Sequence, residues 1–149
     1  EALFTLGYST RSLDEFLHIL SRHRVAAIAD VRSIPKSARH PQFSQDTLSS
    51  ALADHGIDYH WLGELLGGFR KGGFTKYIQT GEFAEGLRSL EDLAGEKRTA
   101  ILCAEADYRK CHRRFIADAL TRRGWRVEHI MSGEQVEEHS AAGNQGNLF

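Results

Sequence analysis

Both cysteines of the chain lie in one stretch, Ile101-Leu102-Cys103-Ala104-Glu105-Ala106-Asp107-Tyr108-Arg109-Lys110-Cys111-His112-Arg113-Arg114. It reads as a buried strand, a polar loop and the start of a basic helix. A helix start carries unpaired backbone N–H groups and the positive end of the helix dipole, and both stabilise an anion. A thiol placed there, beside Lys110, His112 and Arg113, is expected to ionise below its ordinary pKa and to be a better nucleophile. Cys111 is therefore the candidate nucleophile. His112, near a carboxylate, is a candidate for proton transfer at neutral pH. Glu105 is either a general acid or base, or a partner for Arg113 or Arg32.

Cys103 closes an apolar strand, where a cysteine is commonly a small core residue. Three functional readings of the pair compete with that. Cys103 and Arg109 have the spacing of a cysteine-phosphatase phosphate loop, but Glu105 and Asp107 put negative charge inside it and it lacks glycine. Zinc ligation by Cys103, Cys111 and His112 lacks a tight Cys-x2-Cys pair and a fourth ligand. A redox disulfide is permitted by the spacing. No metal and no cofactor is expected.

The elements that position these groups follow from hydrophobic period. Strands are predicted over Phe4–Tyr8, Val25–Val31, Ile57–Leu62, Thr99–Cys103 and Trp125–Ile130, the last polar enough to be an edge. Ser12 and Glu15 form a capping box that starts a helix at Leu13. Ser44 is expected to cap a second helix, Thr80 a third, and a fourth runs from about Cys111 to Arg123. The Gly-rich segment 63–80 reads as a long functional loop. Strand and helix alternate, which calls for a single three-layer α/β domain: a mostly parallel sheet of about five strands with helices on both faces. Such sheets bind ligands beyond the carboxyl ends of their strands. The residues there are Tyr8 and Ser9, then Asp30, Arg32 and Lys36, and then the cysteine turn. Arg70, in the cationic and aromatic segment Phe69–Tyr77, joins them. These groups, with Arg113, are expected to bind a phosphate-bearing small molecule or nucleic acid. His18, His23, His55 and His139 are expected at the surface.

The net charge of −1 argues against wholesale electrostatic binding of nucleic acid, yet Arg109–Arg114 holds four basic residues and no acid. No apolar run approaches the ~20 residues of a membrane span, and two cysteines outside any disulfide framework point to a reducing, cytoplasmic setting. The domain is expected to occupy residues 1–131, with a polar tail over 132–149. The tail ends in Gln145-Gly146-Asn147-Leu148-Phe149. This resembles the short peptides that dock on the bacterial sliding clamp, with Leu148 and Phe149 as apolar anchors and Gln145 as the hydrogen-bonding residue.

Taken together, the chain resembles domain-of-unknown-function family 488. The match rests on Gly7-Tyr8-Ser9, Asp30-Val31-Arg32-Ser33 with Pro35 and Ser37, Phe43-Ser44, Tyr59, Leu66-Gly67-Gly68, Cys103-Ala104-Glu105 and Cys111-His112-Arg113. The resemblance implies one α/β domain with Cys103, Glu105, Cys111, His112 and Arg113 as its signature, and no settled reaction. Three functions remain open: a binder of phosphate-bearing ligands with Cys/His/Glu chemistry, a non-catalytic DNA-repair or replication adaptor that docks on the clamp through its tail, and a thiol-dependent sulfur or phosphoryl transferase. Whether the protein is an enzyme is left open by the residues.

Overall fold

The computed structural model describes residues 1–140. Its centre is a six-stranded sheet. Strand β1 (Ala2–Gly7) leads into helix α1 (Leu13–Arg22), followed by β2 (Ala27–Asp30), a 3-10 turn at Pro41–Phe43, α2 (Gln45–Asp54) and β3 (Asp58–Trp61). Two one-turn helices, α3 (Gly63–Leu66) and α4 (Phe74–Tyr77), precede α5 (Gly81–Glu96) and β4 (Thr99–Cys103). A 3-10 turn at Tyr108–Lys110 leads to α6 (Arg113–Arg122), β5 (Arg126–Ile130) and β6 (Val136–Glu138). The spatial order is β3-β2-β4-β1-β5-β6. The first five strands pair in parallel and β6 pairs antiparallel to β5.

The expected α/β architecture is present, with differences at its margins. The sequence places a tail after Met131, but Val136–Glu138 adds a strand there and covers β5, which is therefore not the edge. The segment 63–80 carries two short helices. α6 begins at Arg113, because Cys111 ends the preceding 3-10 turn and His112 is the helix cap.

Local chemistry sets the helix starts. Ser12 and Glu15 form the reciprocal capping box, with bonds of 2.8 and 3.1 Å. Thr80 accepts from the Phe83 N–H at 3.2 Å. Ser44 does not cap α2 through its side chain; its hydroxyl instead accepts from the Ser37 N–H and holds the loop after β2.

Strand periodicity divides the core in two. Phe4 and Leu6 of β1 and Leu102 of β4 face α1 and α2, where they meet Phe16, Leu20, Leu48 and Leu52. Leu3, Ile101 and Cys103 face the other helices, with Phe83, Leu90, Ile116 and Leu120. Fully burying a Leu or Phe contributes about 1.5–3 kcal/mol, so each face holds its helices by packing and neither depends on helix propensity alone.

This division also makes a crevice. β1 and β4 are neighbours, with Gly7 beside Cys103. The chain leaves β1 toward α1 on one face and leaves β4 toward α6 on the other. Adjacent strands whose exits diverge leave a gap beyond their carboxyl ends. The loop after β2 flanks the same gap, since the Val31 N–H bonds to the Leu102 carbonyl at 3.0 Å.

Candidate functional site

The pairing of β1 and β4 runs past the strands: the Tyr8 N–H reaches the Cys103 carbonyl at 3.0 Å and the Ser9 N–H reaches Ala104 at 2.8 Å. Ser9 then adopts φ of 51° and turns the chain toward α1. Close contact between the two loops requires Gly7. A Cβ there would lie 1.8 Å from the Glu105 carbonyl oxygen.

After Cys103 the chain folds back on itself. The Asp107 carboxylate accepts from the Arg109 N–H and caps the 3-10 turn. Arg113 holds the loop from inside: its Nη2 donates to the Glu105 carbonyl at 2.7 Å and to Ala106 at 3.3 Å, and its Nη1 donates to Thr5 Oγ1 at 3.1 Å. This fold-back brings Cys111 Sγ to 2.9 Å from Cys103 Sγ, with both cysteines free. Cys103 is buried and also faces the Glu105 carbonyl at 3.7 Å. Cys111 is half-buried and accepts from the Arg113 N–H at 3.5 Å.

The two thiols diverge in acidity. Cys111 is lowered from an ordinary value near 9 to about 4, first because Cys103 donates a hydrogen bond to it, with help from His112 and the Arg113 N–H and against the cost of burial. Cys103 is pushed well up, first because it donates to Cys111 and then because it is buried. The pair thus loses one proton easily and holds the other. His112 stands 3.6 Å from Cys111 through Nδ1, and its Nε2 bonds to the Val31 carbonyl at 3.0 Å. A carbonyl only accepts, so Nε2 carries a proton, and it is the doubly protonated ring that donates from Nδ1 to the sulfur. Phe74 packs edge-on to this ring at 5.2 Å, and Gly68 leaves room for it, since a Cβ would lie 2.9 Å from the ring.

A cleft of about 400 Å³ opens over the sulfurs, with Tyr8, Arg32, Lys36, Glu105, Lys110 and His112 in its walls. Arg32 is buried and gripped by Asp30, Nε to Oδ1 at 2.9 Å and Nη2 to Oδ2 at 2.7 Å. The Tyr59 hydroxyl donates to the same carboxylate. Burial opposes the Arg32 charge, but the Asp30 pair more than offsets it and raises its pKa. Arg32 Nη1 has no hydrogen-bond partner among the described residues.

The sequence-predicted site residues thus fall into groups. Tyr8, Arg32, Lys36, Glu105, Cys103, Cys111 and His112 share the cleft. Asp30 lies beneath it as the anchor of Arg32, and Arg113 lies behind the thiols. Ser9 opens on a neighbouring groove with Ser37 and His40. Arg70 is used elsewhere: it donates to the carbonyls of Gly63, Glu64 and Gly67 and stacks on Tyr77 at 3.9 Å, so it fastens its own loop. Arg109 pairs with Asp107 and Glu137, which removes the arginine that a phosphatase-like loop needs. Gln145, Leu148 and Phe149 lie outside the described residues.

The family model for the domain of unknown function DUF488 matches residues 12–120. The chain belongs to the DUF488 family. No significant match is found among curated proteins or among solved structures. In this DUF488 chain the match ends before β5, but the site does not depend on the matched segment alone. Thr5 Oγ1 contacts His129 Nδ1, His129 Nε2 contacts His139 Nδ1 at 2.8 Å, and His139 Nε2 meets Asp118 Oδ1 at 2.6 Å. His139 is therefore buried and not at the surface as its sequence context suggests. With neutral rings, the protons run one way from Thr5 to the Asp118 carboxylate. Nor does any helix among the described residues have the length and apolarity to cross a membrane.

This chain of side chains predicts an acid limit to stability. Burial first, then the charges of His139, Arg113 and Arg109, lower His129 from near 6.5 to about 3. The unfolded chain takes up that proton near 6.5 and the folded one does not. The stabilisation by neutral His129 is therefore full above about 6.5 and is lost as the pH falls toward 3. The slope is about 1.4 kcal/mol per pH unit. Urea midpoints at pH 7 and pH 4.5 are expected to differ less in H129Q than in the wild type. An unchanged difference in the variant assigns the acid sensitivity to other groups.

Proposed function

We propose that the cleft binds an anionic, phosphate-bearing ligand and that Cys111 attacks it as a thiolate, which makes the protein a thiol-dependent enzyme. The observation that carries this reading is the setting of Cys111 Sγ: 2.9 Å from Cys103, 3.6 Å from His112 Nδ1, bonded to the Arg113 N–H and half-exposed beside a cleft. A core cysteine needs none of these partners. Lys36, Lys110 and Arg32 supply the charge for the anion. Glu105, exposed on the cleft wall, is the general acid or base of this reading.

Alkylation by iodoacetamide as a function of pH tests the reading. The rate at Cys111 is expected to be nearly flat from pH 6 to pH 9, because the thiolate forms at about 4, and inorganic pyrophosphate is expected to slow it. C103A removes the leading hydrogen bond and should move the midpoint up toward the ordinary range. A wild-type midpoint near that of a free cysteine, ~8.5, defeats the proposal.

A further inference from the structure

We infer that the electrophile at this site is the divalent sulfur of an anionic disulfide, and that Cys103 is the resolving thiol that completes its reduction. The inference rests on Cys111 being the nucleophile and goes beyond it in naming the reacting atom and the second step.

Two features of the loop separate sulfur from phosphorus. A phosphoryl group in transfer needs a ring of donors around the attacking sulfur. Here the loop turns the Glu105 carbonyl toward Cys103, and that carbonyl and its Ala106 neighbour are taken up by Arg113. What the loop does present to Cys111 is a second sulfur at 2.9 Å. An S–S bond is ~2.05 Å long, so less than about 1 Å of approach closes it. Both thiols line the cleft, but Cys103 is buried while Cys111 is the more exposed. Accessible attacker and sheltered resolver is the division of labour of thiol–disulfide exchange.

The steps balance. The Cys111 thiolate attacks one sulfur of R–S–S–R, the Cys111–S bond forms, the substrate S–S bond breaks and R–S⁻ leaves. Cys103 then gives its proton to the departing thiolate and attacks Cys111 Sγ, forming the Cys103–Cys111 disulfide and expelling the second R–S⁻. The substrate gains two electrons and the dithiol loses them. Once Cys111 is in the mixed disulfide, it no longer accepts the Cys103 proton as an anion, which is the main reason Cys103 holds it. The Arg113 charge, which favours the Cys103 thiolate, stays in place. Resolution is thereby switched on by the first step.

The ligand's charge follows from Arg32. Its side chain is 7% exposed, lines the cleft, and has an Nη1 with no acceptor among the described residues. Nη1 itself is shut off from solvent, so it is the Arg32 charge, with Lys36 and Lys110 at the rim, that favours a carboxylate or phosphate on the substrate.

The test is a single turnover of the reduced full chain with 5,5′-dithiobis(2-nitrobenzoate), which carries two carboxylates, and with neutral 4,4′-dithiodipyridine. In wild type a fast release of two thiol equivalents per chain is expected, with an intact mass showing no adduct and the loss of two hydrogens. C103S is expected to release one equivalent and keep the adduct, and C111S to lose the fast phase. The anionic reagent should react several-fold faster than the neutral one relative to free cysteine, a preference that K36A and K110A reduce. If wild type stops at one equivalent with the adduct retained, the resolving role is overturned while Cys111 remains the nucleophile. If wild type shows no fast release, the nucleophile assignment fails as well. If the two reagents behave alike, the anionic substrate is excluded.

Discussion

Replacing Gly7 by alanine is expected to lower stability by roughly 3 kcal/mol or more, at the upper end of what overpacking costs. Most overpacking is relieved by rotating a side chain. Here the added methyl meets the Glu105 carbonyl oxygen at 1.8 Å and its carbon at 2.5 Å, so only backbone can move. That carbonyl is also the acceptor for Arg113 and faces Cys103. Displacing it loosens the loop that returns Cys111 to its partner. G7A is therefore expected to reduce both the urea midpoint and the reactivity of Cys111 toward iodoacetamide at pH 6. A second variant separates strain from loss of fold. Gly124 has a φ of +99°, and a Cβ added there would meet nothing within 4 Å, so G124A is strained but should leave Cys111 reactivity unchanged. If G7A retains wild-type stability, the close approach of the two loops does not exist in solution.

Much of the architecture was legible because strand burial writes itself into residue type. Val25–Ala29 and Ala100–Cys103 are unbroken small or apolar runs, as strands covered on both faces require. Ser12 and Glu15 announced α1 through chemistry that is entirely local. The missing pieces were short or held by distant partners. Val136–Glu138 is three residues long and two of them are acidic, so its strand character comes from the β5 ladder and not from its own pattern. α3 and α4 are four residues each, too short for a helical period to show.

The site was legible as a list of residues and not as an arrangement. Strand order alone brings Tyr8, Arg32 and Cys103 to one edge, and the cleft holds all three. Sequence does not say what each side chain is already bonded to. Arg70 and Arg32 look alike on paper, yet three loop carbonyls occupy Arg70 while one Arg32 nitrogen is unpartnered among the described residues. His139 looked like a tail histidine because its partners, His129 and Asp118, lie 10 and 21 residues away. Gly68 and Phe74, which position the His112 ring, were readable only as parts of a Gly-rich, aromatic loop.

Arg113 decides whether the two sulfurs stay together, and R113M is expected to be the most damaging substitution at the site that keeps side-chain length. Arg113 is 1% exposed and donates to Thr5 Oγ1, Glu105 and Ala106. Methionine fills the volume but leaves two part-buried carbonyls without their donor. At ~1–3 kcal/mol for each such group, the loss is about 2–6 kcal/mol, reduced wherever water enters. A buried cation is itself costly to keep, and the two carbonyls and the Thr5 hydroxyl are what compensate it here. R113K tests that balance: it keeps the charge but has no planar fork with which to reach Thr5 and Glu105 together. Lysine is therefore expected to recover little of the stability, and in both variants the low Cys111 midpoint, which draws on Cys103, His112 and the Arg113 backbone N–H, is expected to rise only as far as the loop opens. Urea midpoints and iodoacetamide pH profiles of the two variants distinguish the outcomes. Equal recovery of both properties by lysine shows that charge alone is required, and the hydrogen-bonded fork is then not what holds the cysteine loop closed.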